Sequence, residues 1–380
     1  MLLGVTQEQH PDRCRLFAQW KGFDWPILHD PINLLEAAAV PIVVAIDEQG
    51  VVRSVRPKPE TLEQDFLDRE FHTGGAAPVP MRPPTPDPEQ VARQAGAENT
   101  APAWRRLGDA LVLWGGANRV NEAIAAYEET LRRAPGDAIA RFRLGVCYRL
   151  RSEGPKRHPG DFQAAVRAWD RAFAAHPNQY IWRRRIQQYG PRLEKPYPFY
   201  DWVDQATAEV RARGEKPIPL PVPPSGAEIA GPVREFGPEA SPPRAPDPEG
   251  RILRDGDGLI RTEVVVVPSR IPAGQSARIH VSFHPNSRRM AHWNNEAEPL
   301  RLWIDPPPGW EISRRLLVAP QGDRPETNEV RRLEFEVRAP ATGAGTVQFS
   351  AYALYYACEN IGGTCRFLRQ DIPITVEVRR

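Results

Sequence analysis

The chain has 380 residues, too many for one ordinary core at roughly 150 residues per domain, so two or three packed units are expected. Its 50 basic and 48 acidic side chains leave a net charge of +2, which excludes a global field for nucleic acid or an anionic membrane surface. Four cysteines are too few for a disulfide-framework protein, and the longest apolar stretch, LLEAAAVPIVVAI, is broken by Glu36 and Pro41, so no membrane span is expected.

In chain order, MLLGVT reads as a buried strand, HPDRCRLFAQWKG as an amphipathic helix, DWPILHD as a short edge strand and INLLEAAAV as a helix. PIVVAIDEQG is an apolar run ending in a turn, VVRSV a second short strand and TLEQDFLDREF a helix. This alternation implies a layered α/β unit over residues 1–73. Cys14 shares a helix face with Phe17 and Ala18 and reads as a small buried hydrophobe. The run GVTQEQHPDRCRLFAQWKGFDWPILHD, followed by AVPIVVAIDEQGVVR, resembles the carboxyl-terminal two thirds of a redoxin, the AhpC/TSA branch of the thioredoxin-like fold. The resemblance implies antioxidant thiol chemistry and makes Pro41 a cis proline beside the redox centre. In redoxins the nucleophilic cysteine lies upstream of the strand that MLLGVT resembles. The sequence as given is therefore expected to start inside a domain, through a start placed at an internal Met or through loss of the first elements.

Proline clusters mark extended spacers at 74–100 and 214–250. A PxxP ligand role for the second is the less specific reading, because such matches are common in any proline-rich tract. Between the spacers, residues 101–213 carry a repeat. Trp104, Leu107, Gly108 and Leu111 are followed by Ala123, Tyr127, Thr130 and Pro135; Leu144, Gly145 and Tyr148 are followed by Ala165, Trp169, Ala172 and Pro177. The four-three-five spacing recurs without shift and resembles tetratricopeptide (TPR) repeats, closed by capping helices. That resemblance implies a protein or peptide partner on the repeat surface, with a pure spacer as the other reading. Trp182 with Arg183, Arg184 and Arg185 reads as a solvated basic face and not as a nucleic-acid surface.

From 251 to 380 the pattern changes to LIRTEVVVVP, SARIHVSFHP, EPLRLWIDP, EVRRLEFEVRAP, GTVQFSAYALYYAC and RQDIPITVEVRR, which predicts an immunoglobulin-like β-sandwich. The fold class expected for the whole chain is therefore multidomain: an α/β thioredoxin-like fragment, all-α helical hairpins and an all-β sandwich. The P-x-G turn at Ile271–Gly274, the segment HWNNEAEPLRLWIDPPPGWEI and two nearby cysteines in the last strand pair resemble the amino-terminal domain of the thiol:disulfide interchange protein DsbD. By that resemblance Cys358 and Cys365 are a redox pair passing electrons to a protein thiol or disulfide partner in an extracytoplasmic, periplasmic setting. The loop ENIGGT is slightly longer than in familiar members, and Arg366-Phe367 stands where a proline is usual.

Read from the residues alone, three roles stay open for the pair. A hairpin tipped by Gly362 and Gly363 can bring facing cysteines into disulfide range. Closing so short a loop stabilises by only about 2.5 kcal/mol in the entropy model, which favours chemistry over stapling. Arg366 beside Cys365 would favour that thiolate and Glu359 beside Cys358 would disfavour the other, so Cys365 is expected to attack and Cys358 to resolve. A structural disulfide is the second reading, and zinc with His284 or His292 the third, without ligand spacing to support it. No cofactor is expected. Two functions compete: a thiol-disulfide oxidoreductase with a partner-binding repeat module, and a non-catalytic interaction scaffold with a vestigial redoxin fragment.

Overall fold

The computed structural model describes residues 1–71, 85–192, 200–225, 228–229, 236, 243–360 and 363–379. Much of both expected proline-rich spacers, and Gly362, lie outside the described residues. The chain combines helices with several β-sheets and divides into two compact units. One comprises Met1–Gln9, Trp25–Leu150 and Arg171–Arg184; the other comprises His10–Asp24, Arg151–Asp170 and Arg185–Arg380. Both units are thus discontinuous in sequence, residues 10–24 and 151–170 falling in the second.

In the first unit, β1 (Gly4–Thr6) pairs in parallel with β2 (Ile27–His29), and β3 (Val44–Ile46) pairs antiparallel with β4 (Val52–Val55). These are two separate two-stranded sheets, where the alternation predicted one layer. Leu2, Val5, Val44, Ile46, Val52 and Val55 are exposed, so the expected burial of MLLGVT is not realised. The helix expected in INLLEAAAV is absent, for a local reason. Asp30 Oδ1 accepts from the Leu34 N–H (2.8 Å), and Asn33, at φ 52°, accepts from the Ala37 N–H (3.0 Å) and donates to the Ala37 carbonyl (3.0 Å). Short polar side chains that capture backbone groups compete with the helix ladder. The expected helix in TLEQDFLDREF reduces to a π-helical turn, Glu63–Leu67. Val40–Pro41 is a cis peptide.

Helix α2 (Pro88–Glu98), capped by Asp87, occupies part of the segment expected to be a spacer. It shares an apolar cluster with α3 (Ala101–Trp114), α4 (Val120–Arg133) and the first part of α5 (Ala138–Glu153). Proline in the first turn, with Thr100 as cap, starts α3. Gly108 admits the Tyr127 ring so closely that an added Cβ would lie 2.6 Å from it. Tyr127 donates to Asp109 (2.7 Å), which also takes Arg143 Nη1 (2.8 Å), and Arg143 donates further to the Ile32 and Asn33 carbonyls. Burial pushes the Asp109 carboxyl up, against the pull of Arg143. In the second set of repeat positions Leu144, Gly145, Ala165, Trp169 and Ala172 are buried, as Leu107, Gly108, Leu111, Ala123, Tyr127 and Thr130 are in the first, whereas Pro135 and Pro177 are exposed. After α6 (Asp161–Ala175) comes α7 (Tyr180–Gln187), whose basic run departs from the expected solvated face. Trp182 is buried and stacked on Phe142 (5.3 Å), and Arg185 is buried, whereas Arg183 is exposed.

In the second unit, α1 (Pro11–Lys21) buries Leu16 and Arg13, the latter ion-paired to Glu228, and leaves Cys14 half-buried, short of the full burial expected. The β part has a four-stranded sheet ordered β10 (Glu311–Ile312), β13 (Arg331–Arg338), β7 (Ser276–Pro285) and β5 (Ile260–Val267). The larger sheet runs β11 (Leu316–Val318), β9 (Arg301–Asp305), β14 (Gly345–Cys358), β16 (Ile374–Arg379) and β6 (Arg270–Pro272). β8 (His292–Asn294), β12 (Glu326–Thr327) and β15 (Cys365–Asp371) join it off that path. One core takes Ile279, Val281, Phe283, Phe335 and Val337 from the first sheet and Leu302, Ile304, Phe349, Tyr355 and Val376 from the second. Within this unit α6 meets the turn after β5: Gln163 accepts from the Val266 N–H (3.0 Å) and Asp170 from the Ser269 N–H (2.8 Å).

The other face of the four-stranded sheet carries ions. Arg278 bridges Glu334 and Glu336, and His280 reaches Glu334 at 3.0 Å. Burial alone would raise the Glu334 pKa, but His280 and Arg278 hold it well below the usual carboxylate range. His284 is the opposite case. Burial first, then the charges of Arg157 and Arg332, lower its pKa to about 4.

Two predictions follow from this packing. Gly108→Ala should destabilise the helical region by about 1–3 kcal/mol, since the Tyr127 ring must shift, and chemical denaturation followed by far-ultraviolet circular dichroism measures it. The unfolded chain protonates His284 near pH 6.5 and the folded one only near 4, so stability should fall as pH drops through that window. Allowing for solvent screening, the loss should be about 1–2 kcal/mol, and denaturation midpoints of His284→Gln across the window should show a correspondingly flatter pH dependence.

Candidate functional site

Strand β14 pairs along one edge with β15 and then β16 in a single antiparallel register, from Cys358↔Cys365 to Gly345↔Val378. On its other edge lie β9, and at its carboxyl end β8, where Cys358 faces His292 and Ala357 faces Trp293. Side chains alternate between faces along a strand. Ala351, Ala353, Tyr355 and Ala357 enter the core between the sheets, so Tyr352, Leu354, Tyr356 and Cys358 lie on the opposite face. Cys358 and Cys365 form a disulfide there, with Cα atoms 3.9 Å apart. Two residues along the same face, Tyr356 and Phe367 stack at 4.5 Å. Asn360, at φ 59°, turns the chain, and its carbonyl accepts from the Gly363 N–H (3.2 Å).

The two sulfurs differ in environment. Cys358 is buried at 1% exposure and Cys365 is exposed. An incoming thiolate therefore has access to Cys365. The pair that sequence reasoning singled out is thus brought together as a disulfide. Arg366 follows a different course. It is opposite Ala357 in the register, on the face turned away from the disulfide, and its guanidinium is engaged by Asp257 (2.8 Å) and Glu359 (3.6 Å). Pro41 lies in the first unit and the disulfide in the second.

His292 entered the sequence reading as the start of the segment HWNNEAEPLRLWIDPPPGWEI and as a possible zinc ligand, and it is the cross-strand neighbour of Cys358. Its position rests on Trp293, fully buried, whose Nε1–H donates to the Glu329 carbonyl (2.8 Å) and whose ring lies under Arg331 (4.4 Å). With Trp293 pointing into the core, alternation puts His292 on the sulfur face. His292 Nδ1 meets the Met290 carbonyl at 3.2 Å and Nε2 meets Glu326 at 3.5 Å. The available signal was the dipeptide itself, a core-seeking Trp beside a polar ring, but the pairing of β8 with β14 is non-local. His284 lies on the other sheet, with Nε2 2.9 Å from the Ser282 hydroxyl, so of the two imidazoles named in the zinc reading only His292 is next to the pair. Among the described residues no group of three or more His, Cys, Asp or Glu has metal-binding geometry, and no helix is long and apolar enough to cross a membrane.

A concavity of about 360 Å³ lies within the first unit, walled by Phe142, Trp182 and Ile32 with Asn33, Glu36 and His176 at its polar side.

No protein-family model matches the chain, and no curated protein matches it. Among solved structures it is similar to AvmM, described as catalysing macrocyclization in alchivemycin A biosynthesis, at 15% identity over 32% of this chain and 89% of that one, with a TM-score of 0.21. It is similar also to AggA, the major subunit of aggregative adherence fimbriae type I from Escherichia coli, at 10% identity over 32% and 95%, with a TM-score of 0.18. A third is Spo0M, a sporulation control protein from Bacillus subtilis, at 13% identity over 32% and 51%, with a TM-score of 0.16. Likenesses at this level carry no argument about function.

The disulfide gives a direct expectation. Denatured without reductant, the chain should show two titratable thiols, from Cys14 and Cys147, and four after reduction, counted by alkylation and mass spectrometry.

Proposed function

We propose that the chain is a thiol-disulfide oxidoreductase that exchanges electrons with a protein partner through Cys358 and Cys365. The observation that carries this reading is the asymmetric pair: a disulfide at the turn end of a hairpin, with Cys365 exposed and Cys358 buried. A partner thiolate attacks the Cys365 sulfur, the bond to Cys358 breaks, and its electron pair leaves on Cys358 as thiolate. The partner's second thiolate then attacks its own sulfur in the mixed disulfide and releases Cys365. The net change oxidises the partner's two thiols to a disulfide and reduces this one by two electrons and two protons; the reverse sequence oxidises this chain.

The sequence resemblances supply the context of the proposal. In it, the β part is an immunoglobulin-like sandwich of DsbD amino-terminal type, the helical hairpins are TPR-like and hold the protein partner, and residues 1–73 are a redoxin-like fragment with Pro41 as its cis proline. The setting is extracytoplasmic, where disulfides persist. The near-complete burial of Cys358 favours a second reading, a scaffold in which the disulfide only staples the hairpin.

The reduction potential separates them. The full-length chain is equilibrated in glutathione buffers, extended to dithiothreitol for low potentials, and Cys358 and Cys365 are quantified by differential alkylation. A value above about −250 mV is expected for an exchanging pair, whereas one below about −300 mV would replace the oxidoreductase with the scaffold.

A further inference from the structure

The exchange step places a negative charge on the sulfur least able to carry it. Burial in apolar surroundings raises a thiol pKa and makes the thiolate a poorer leaving group. Cys358 is 1% exposed, and Arg366, the cation nearest the pair in sequence, lies on the other face of the strand.

We propose that His292, in its protonated form, is the counter-charge of the Cys358 thiolate and thereby sets how readily the disulfide opens. This rests on the exchange reading above. Directly opposed residues of antiparallel strands have Cβ atoms about 4.5–5.5 Å apart on a common face, and His292 and Cys358 are so opposed. Both imidazole nitrogens face acceptors, the Met290 carbonyl at 3.2 Å and the Glu326 carboxylate at 3.5 Å, an arrangement that the doubly protonated ring satisfies. The His292 side chain is only 13% exposed, so its charge is partly shielded from water, while Glu326 is 59% exposed on β12. The titratable and charged groups on the strands flanking this ring are Glu326 on β12 and Cys358 and Tyr356 on β14.

Charge balances without a further reactant. An anionic thiolate attacks Cys365, a sulfur–sulfur bond forms and another breaks, and an anionic thiolate remains on Cys358 beside the imidazolium. His292 donates no proton in this step. In the reverse direction the same pairing keeps Cys358 ionised, ready to attack the mixed disulfide at Cys365.

The test compares full-length wild type, His292→Gln and His292→Lys. Dithiothreitol reduction is followed by alkylation across pH 5 to 9, and in the reduced chains thiolate absorbance is titrated with Cys14→Ser and Cys147→Ala as background. Removing the charge in H292Q should slow reduction at pH 7 about fivefold and raise the lower thiol pKa by about one unit. H292K, which keeps a cation, should recover most of both. Equal rates and equal thiol titrations in H292Q and wild type, or an H292K no better than H292Q, would overturn the proposal. Denaturation midpoints identify any variant that fails for lack of folding. Dithiothreitol opens a stapling disulfide as well as an exchanging one, so the role of His292 is readable even where the potential rejects the oxidoreductase.

Discussion

The ladder between β14 and the continuous β15–β16 segment is the constraint on which the β unit depends. It runs in one register from Gly345↔Val378 to Cys358↔Cys365, and β14 also holds β9 and β8 on its other edge. A slip of one residue would exchange the faces, sending Ala351, Ala353, Tyr355 and Ala357 outward and Tyr352, Tyr356 and Cys358 into the core. The break between β15 and β16 falls at Pro373, which has no amide hydrogen to donate. The adjoining Ile372 N–H still reaches the Ala351 carbonyl at 2.7 Å, so the register survives the interruption.

A second set of contacts fixes the loop face of the larger sheet. Asp247 accepts from Arg369 (2.9 Å), its own N–H donates to the Tyr352 hydroxyl (3.0 Å), and the Arg369 guanidinium lies 3.7 Å from the centre of the Tyr352 ring. Leu253 and Asp255 exchange backbone hydrogen bonds with Arg369. The segment before β5 is thereby laid along the outer edge of β15, and Ala245 and Ile252 complete a small apolar cluster with Trp303, Tyr352 and Leu354. The outer face is thus covered up to the Tyr356–Phe367 stack, and the disulfide lies beyond it.

Legibility in the sequence follows the range of the interactions. The long alternating strands β5, β7, β13 and β14 were read close to their observed limits, because two-residue periodicity is written into each strand. The α3–α4 hairpin was legible for a similar reason: Gly108, Ala123 and Tyr127 recur as a pattern and are buried together. The segment Ile32–Val40 misled, because its helical periodicity was outweighed by Asp30 and Asn33 side chains that bind the backbone. Arg366 misled differently. Adjacency in sequence places a residue on the opposite face of a strand, so Arg366 shares the face of Ala357 and not that of the disulfide. His292 was overlooked as a neighbour because strand pairing across many residues leaves no mark in local composition.

Together these positions tie the chemistry of the pair to the packing of the core. Trp293 enters the core because its indole finds both an apolar surrounding and a carbonyl for its N–H, that of Glu329. Alternation then leaves His292 no choice of face, and the pairing of β8 with the end of β14 leaves it no other cross-strand neighbour on that edge than Cys358. Burial of Cys358 would by itself make a stable, poorly leaving sulfur. The same packing that buries it supplies a ring able to carry positive charge beside it, while Cys365, one strand further out, keeps its access to solvent. A staple requires only that the two sulfurs meet; here Cys365 is exposed, Cys358 is buried and His292 is the cross-strand neighbour of the buried member.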